Sequence, residues 1–322
     1  MAEITSEMID NIIEAEKEHN KAVEKQFDRI ISKGFAPLLG IEIIISAALL
    51  GFSVLKALAA AAISVVLDIL LFLIVTEILT AREMKFQAFA LVSIYRKRKL
   101  KRFAALVDAA PTTEEKLRLY CENIKKSGNK DEKLSAISQY INFVNAMCAE
   151  QDIDWVYEEL IKIRSEKFIT KSAKLQDLLL YFIAKGDCDG FIRTFEENQG
   201  LIKEMWDYAL FSKLDIVVLC CEYFRMKKEY QKQLEYYDIL IEFHEKASEI
   251  DVKYALTDEM RSEIKIDYAK IYCRLGRYEE AAECLHEAEE KLKNNDKPYI
   301  KKGIEEAGKM LEEADTNNTE GK

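Results

Sequence analysis

His19, His244 and His286 are the only imidazoles in the 322-residue chain, and they fall on three different expected helices. None has a serine or cysteine of nucleophile type beside it, so base-assisted covalent catalysis lacks its parts. No phosphate-cradling glycine loop and no dinucleotide fingerprint occurs. Cys273, Cys284 and His286 share one expected hairpin, but Cys284 and His286 stand two apart on a helix and point to different sides, a poor start for a metal site. The inventory implies no enzyme, no cofactor and no metal. Seven cysteines at irregular spacing suit reduced thiols.

More informative are acids in apolar surroundings. Asp68 lies twelve residues past Lys56 and nine before Glu77, inside the 45-residue apolar stretch Phe35 to Leu79. At 1.5 Å per helical residue that is about 14 to 18 Å from either end, near a bilayer midplane. An ionisable group there is costly and normally faces other helices or a wet cavity. Ala57, Ala60, Ala61 and Ser64 lead to it at helical spacing, a small-residue seam for close helix contact, and Gly40, Ala47, Ala48 and Gly51 could match it. Two readings stay open: a protonated Asp68 bonded to a neighbouring helix for assembly, or a pore or proton-linked role. Glu42 and Glu77 sit one to two turns from the expected boundary, where long side chains reach water.

The element that must hold these acids is a transmembrane hairpin. A span takes roughly 20 apolar residues, so 45 residues suit two spans, 35–52 and 57–79, in a segment covering 34–80. Lys21, Lys25, Arg29 and Lys33 precede the first span. Arg82, Lys85 and the run Arg96, Lys97, Arg98, Lys99, Lys101 and Arg102 follow the second, so both termini are expected on the cytoplasmic side of an integral membrane protein. The run at 96–102 reads either as a topology determinant or as an interfacial cluster for anionic lipid on a basic helix at 81–110. Residues 1–33 read as one amphipathic helix with Ile4, Met8, Ile12, Ala15, His19, Val23, Phe27 and Ile30 on one stripe. Three outcomes fit: a coiled-coil arm, favoured because Glu and Lys alternate beside the stripe, a helix on the membrane, or one docked on the following domain. An arm of that kind would make a homo-oligomer.

Charge divides unevenly along the chain. The first 107 residues hold 14 Lys/Arg against 12 Asp/Glu and the rest 33 against 45, within a net −10 overall. An acidic C-terminal domain excludes nucleic acid as an expected partner. From 111 to 315 the apolar spacing is helical throughout, with helices expected at 113–127, 131–149, 152–166, 172–185, 188–198, 201–226, 229–249, 256–275, 278–293 and 297–314. Pro37, Pro111 and Pro298 punctuate element boundaries, Thr112 with Glu115 forms a capping box, and 316–322 reads as a disordered tail. Serial helix pairs joined by short breaks make a solenoid, so the expected fold is all-α: a two-helix transmembrane hairpin followed by an α-solenoid.

One pair carries a signature. The run from Tyr268 through Ala269, Tyr272, Gly276, Tyr278 and Ala281 to Ala288 resembles a tetratricopeptide repeat over about 262–295. Ala269 and Ala281 match its helix-crossing positions, Tyr272 and Tyr278 its aromatic positions, Gly276 its turn and Ala288 the contact with the next helix. No proline near Lys293 closes the repeat as the family's usually does. A fainter copy from Leu219 to Tyr237 has Cys221 and Gln233 at the crossing positions. The final helix, with Tyr299, Ile300, Ile304, Ala307, Met310 and Leu311 on one side, reads as a solubilising cap.

The resemblance implies a groove lined by the first helix of each pair. Its residues would be Glu263, Ile266, Lys270, Cys273 and Arg274 in the clear repeat and Asp215, Val218, Glu222, Arg225 and Met226 in the faint one. Lys270 and Arg274, four apart, could reach one carboxylate. The expected function is a membrane-anchored scaffold that recruits a protein or peptide partner through the groove. Two alternatives stand beside it: an oligomeric effector or pore assembled around Asp68 with the solenoid as sensor, and a membrane-shaping hairpin.

Overall fold

The computed structural model describes residues 4–30, 90–147, 153–208 and 210–320. Among these the chain is all-α, with thirteen α-helices and no strand. In chain order they are α1 (Ser6–Ile30), α2 (Ala90–Ala109), α3 (Thr113–Lys126), α4 (Lys130–Met147), α5 (Asp154–Lys162), α6 (Phe168–Lys185), α7 (Cys188–Glu197), α8 (Gln199–Trp206), α9 (Leu210–Met226), α10 (Tyr230–Ser248), α11 (Asp258–Arg274), α12 (Tyr278–Leu292) and α13 (Pro298–Glu320).

The expected hairpin at 34–80, with its spans and Asp68, Glu42 and Glu77, lies outside the described residues. Among the described residues no helix is long and apolar enough to cross a membrane. That finding corrects the expectation of an integral membrane protein with both termini cytoplasmic.

Two compact units are present. One comprises residues 1–17 and 117–322, the other 18–116, so α1 and α3 each contribute to both. In the second unit, α2 carries the expected basic run; Lys101 and Arg102 are exposed on it. The N–H of Glu115 donates to Thr112 Oγ1 at 3.2 Å at the start of α3, one half of the expected capping box.

The larger unit is built from consecutive helices joined by short breaks and packed on each other: α6 with α7, α9 with α10, α11 with α12, with α4 against α6 and α10 against α11. Local chemistry sets the joints. Asn129 Oδ1 accepts from Glu132 N–H at 2.9 Å, Asp187 Oδ1 from Gly190 N–H at 2.8 Å and Thr257 Oγ1 from Met260 N–H at 3.2 Å, each satisfying a first-turn donor that its helix leaves unpaired. Gly276 closes α11 at φ 72°, left-handed backbone that glycine adopts without a Cβ penalty. The α9–α10 joint has Lys228 in the same region at φ 59°.

Three boundaries depart from the sequence reading. The helix expected over 201–226 is two, α8 and α9, although no glycine or proline stands at the break. Trp206 packs toward Phe243 of α10 at 6.5 Å between ring centroids and Tyr208 toward Phe168 of α6 at 5.0 Å, so aromatic packing in two directions separates the helices. The helix expected over 152–166 stops at Lys162. Lys174 Nζ donates to the carbonyl of Ile163 at 2.9 Å and Lys130 Nζ to that of Arg164 at 2.6 Å, holding 163–167 as a loop. At the other end α13 runs to Glu320, into residues expected as a disordered tail.

The N-terminal helix docks. Ile4, Ile9 and Ile13 are buried in the core of the larger unit, with Ile9 fully enclosed. Asp10 pairs with Lys246 of α10 at 2.5 Å, Lys17 with Glu249 at 2.9 Å, and Ser6 hydrogen-bonds Glu242. Of the three outcomes expected for this helix, residues 4–17 show the docked one. Positions 8, 9, 12 and 13 are all apolar, which offers two adjacent stripes. The packed one is Ile4, Ile9 and Ile13, leaving Met8 and Ile12 half-buried.

Candidate functional site

The residues expected to line a groove lie on α9 and α11, and their surroundings can be built outward from each helix. On α9, Asp215, Val218, Glu222 and Arg225 follow one another at three- and four-residue steps and so share a stripe. Arg225 Nη2 and Nε both reach Glu222 Oε2, at 2.6 and 2.8 Å. Val218, between the acids, is 45% exposed, large for an aliphatic side chain on a helix otherwise packed on several sides. Met226 is buried.

On α11 the surroundings differ from the expectation. Glu263 accepts from the Tyr299 hydroxyl at 2.6 Å and Lys270 pairs with Glu306 at 2.8 Å, both partners belonging to α13. Ile266 is buried in a small cluster with Ala288, Leu292 and Ile300, and Cys273 is buried as well. The chain's own last helix therefore occupies the α11 half of the expected groove. Arg274 does not join Lys270 on a carboxylate. Its guanidinium lies over the ring of Tyr230 at 5.0 Å, a cation–π contact.

The structure adds residues that the sequence reading missed. Asp267, on α11, accepts from the Tyr237 hydroxyl of α10 at 2.8 Å, while Tyr268 of α11 donates to Asp238 of α10 at 2.5 Å. Tyrosine and aspartate thus cross in both directions between the same two helices. Burial raises the Asp267 carboxyl above the ordinary aspartate range, with Lys270 and the Tyr237 hydroxyl opposing, and the charges of Glu222 and Arg225 act on it from α9. Glu222, Arg225 and Lys270, three of the ten residues expected to line the groove, thus all act electrostatically on the buried Asp267 beside Tyr237. The clue lay in the pattern: Asp267 sits between Ile266 and Tyr268 on an otherwise core-facing run.

A second line of polar groups joins α4, α6 and α9. The Ser138 hydroxyl donates to Asp177, and Gln176 Nε2 donates to Asp215 Oδ2 at 3.1 Å. Burial pushes the Asp177 carboxyl up to about 7 against the Ser138 bond, and that of Asp215 up to about 6 against Gln176. Asp177 stands within the apolar run from Leu175 to Leu180, a sequence signal of a buried acid.

Among the described residues, no three His, Cys, Asp or Glu side chains come together as metal ligands. His244 Nδ1 lies 2.7 Å from the Tyr254 carbonyl oxygen, and His286 is exposed, 3.9 Å from Glu290. Comparison with family models, with curated proteins and with solved structures gives no match.

Proposed function

We propose that the unit comprising 117–322 is a scaffold of tetratricopeptide-like helical pairs stacked as a solenoid, which recruits a protein or peptide partner through α9. The observation that supports the reading is the enclosure of small or buried side chains at matching places of the α9–α10 and α11–α12 pairs. Ala269, Ala281 and Ala288 are fully enclosed where α11, α12 and their neighbour approach, and Cys221 and Gln233 are buried at the corresponding places of α9 and α10. Small residues at a crossing let two helix axes come close, and repetition of that device extends a surface without catalytic parts. The activity is recognition and not catalysis.

The partner contact falls on α9 because α13 takes the equivalent positions of α11. A partner side chain would cover Val218 and meet Glu222 and Arg225 beside it, an apolar anchor rimmed by charge. A photo-crosslinking residue at position 218 of the full chain, expressed in its own cells, should capture a partner protein that Val252, 82% exposed and remote in sequence, does not. Arg225→Glu in the same background should reduce that capture at least fivefold. If the adduct at 218 is absent, or if Arg225→Glu leaves it unchanged, α9 is not the docking helix.

A further inference from the structure

At the loop 163–167, between α5 and α6, two cations, Arg164 and Lys174, pair with no carboxylate among the described residues. Lys174 is half-buried, and among the described residues its ammonium has one hydrogen-bond partner, the carbonyl of Ile163. Lys130 is spent the same way on the carbonyl of Arg164. The Arg164 guanidinium makes no hydrogen bond or ion pair among the described residues, and its charge, after burial, depresses the proton affinity of Lys174. Of the acids nearby, Glu166 pairs with Lys171 at 2.9 Å, and Asp131 accepts from the Thr170 hydroxyl at 3.1 Å. Two cations that disfavour each other, one half-buried and one exposed, would both gain from an anion placed between them.

Beside them opens a pocket of about 420 Å³. That volume falls within the few hundred Å³ typical of small-molecule sites. Arg164 and Lys174 line it together with the paired Glu166 and Lys171 and, on its apolar side, Ile163, Leu175, Leu178 and Leu201. Ile163 and Leu175 are buried and the other two half-buried, so charge and apolar surface face the same space. An inorganic ion would leave that apolar wall wet, whereas an anion carrying a hydrocarbon body would cover it.

We propose that this pocket binds a small organic anion, a carboxylate or phosphate group on an apolar body, with Arg164 and Lys174 on the charge and Ile163, Leu175, Leu178 and Leu201 on the body. Arg164 suits a two-oxygen anion because its guanidinium presents paired donors. The site is separate from the α9 stripe and does not depend on the partner reading.

The test is calorimetric titration of the full-length protein with octyl phosphate, octanoate, octyl glucoside and inorganic phosphate, each below any micelle-forming concentration. One octyl anion should bind saturably at one per chain, at least tenfold tighter than octyl glucoside and than inorganic phosphate. Which of the two octyl anions binds tighter identifies the head group. Arg164→Gln and Lys174→Met should each weaken that binding at least fivefold, and Lys232→Gln, on α10, should not. Arg164 is exposed, so its variant tests the site even if Lys174→Met fails to fold. Octyl anions binding no tighter than octyl glucoside, binding at many sites, or binding to Arg164→Gln as to the unaltered chain would overturn the proposal. Equal affinity for inorganic and octyl phosphate would overturn the apolar half of it.

Discussion

Asp177 holds a carboxyl where water does not reach: it is 2% exposed, and its Oδ2 has no hydrogen-bond partner among the described residues. Its pKa rises from 3.8 to about 7 because burial penalises the charge. An acid whose folded pKa exceeds the unfolded value stabilises the fold fully below the unfolded pKa and loses that contribution as pH rises through the folded one. A tenfold change in proton affinity is worth about 1.4 kcal/mol, so the cost at high pH is on the order of a few kcal/mol. The larger unit should therefore lose stability between about pH 4 and pH 7, with Asp215 adding to the same slope. Asp177→Asn should flatten it and melt higher than the unaltered chain at about pH 8, where the buried carboxyl is charged. Urea midpoints on either side of that transition measure both, and parallel profiles for the two proteins would contradict the assignment. Thiols give a second residue-level test. Cys188 is exposed, whereas Cys220 and Cys221 are buried, with burial pushing the Cys220 thiol up to about 12. Since the thiolate is the reactive form, Cys188→Ser should abolish a fast phase of thiol labelling, and Cys220 and Cys221 should react only on unfolding.

At the scale of elements, α7 and α11 depend on one glycine each for different reasons. A Cβ on Gly190 would stand 2.5 Å from Asp187 Oδ2 and 2.5 Å from Phe182, the first being the cap of α7 and the second a core ring of α6. Gly190→Ala should thus break the cap and push α7 off α6, lowering the thermal midpoint more than an ordinary helix substitution. Gly276 has open space around it but sits at φ 72°. A Cβ added there meets nothing within 4 Å, so Gly276→Val should cost at least about 1 to 2 kcal/mol through the left-handed backbone, read from denaturant midpoints. If Gly276→Val proved as damaging as Gly190→Ala, packing and not conformation would govern the turn. Most helices of the domain were legible because apolar residues recur at helical spacing and because caps and glycines mark their ends. The break between α8 and α9 was not, since it arises from rings on either side of Asp207 packing on different helices.

At the scale of the molecule, the larger unit is assembled from two pieces of chain about a hundred residues apart, 1–17 and 117–322. Ile9 is the centre of that join, fully enclosed and followed by the Asp10–Lys246 pair. Removing most of a buried isoleucine typically costs about 2 to 5 kcal/mol, so Ile9→Ala should lower the stability of the whole unit by that much. Hydrogen exchange should show faster exchange in α10 around Glu242 to Lys246 in Ile9→Ala. Unchanged exchange there would mean that the N-terminal helix is not part of the unit. The last helix has a parallel role. α13 packs on α11 and α12 and reaches α4, so it links the end of the domain to its beginning and covers Glu263 and Lys270 on the way.

Helical periodicity, the all-α class and the positions of most joints can be read from the order of residues, because 3.6-residue spacing and cap chemistry are local properties. The convergence of Glu222, Arg225 and Lys270 could be anticipated only as a resemblance. That all three act on Asp267, and that α13 covers Glu263 and Lys270, are long-range facts with no local mark. The same holds for the N-terminal helix, whose adjacent apolar stripes are both available locally and become unequal only when α10 supplies Lys246 and an apolar surface for one of them. Which apolar face is buried, and which charge meets which, depends on neighbours distant in the chain, and their arrangement is a property of packing.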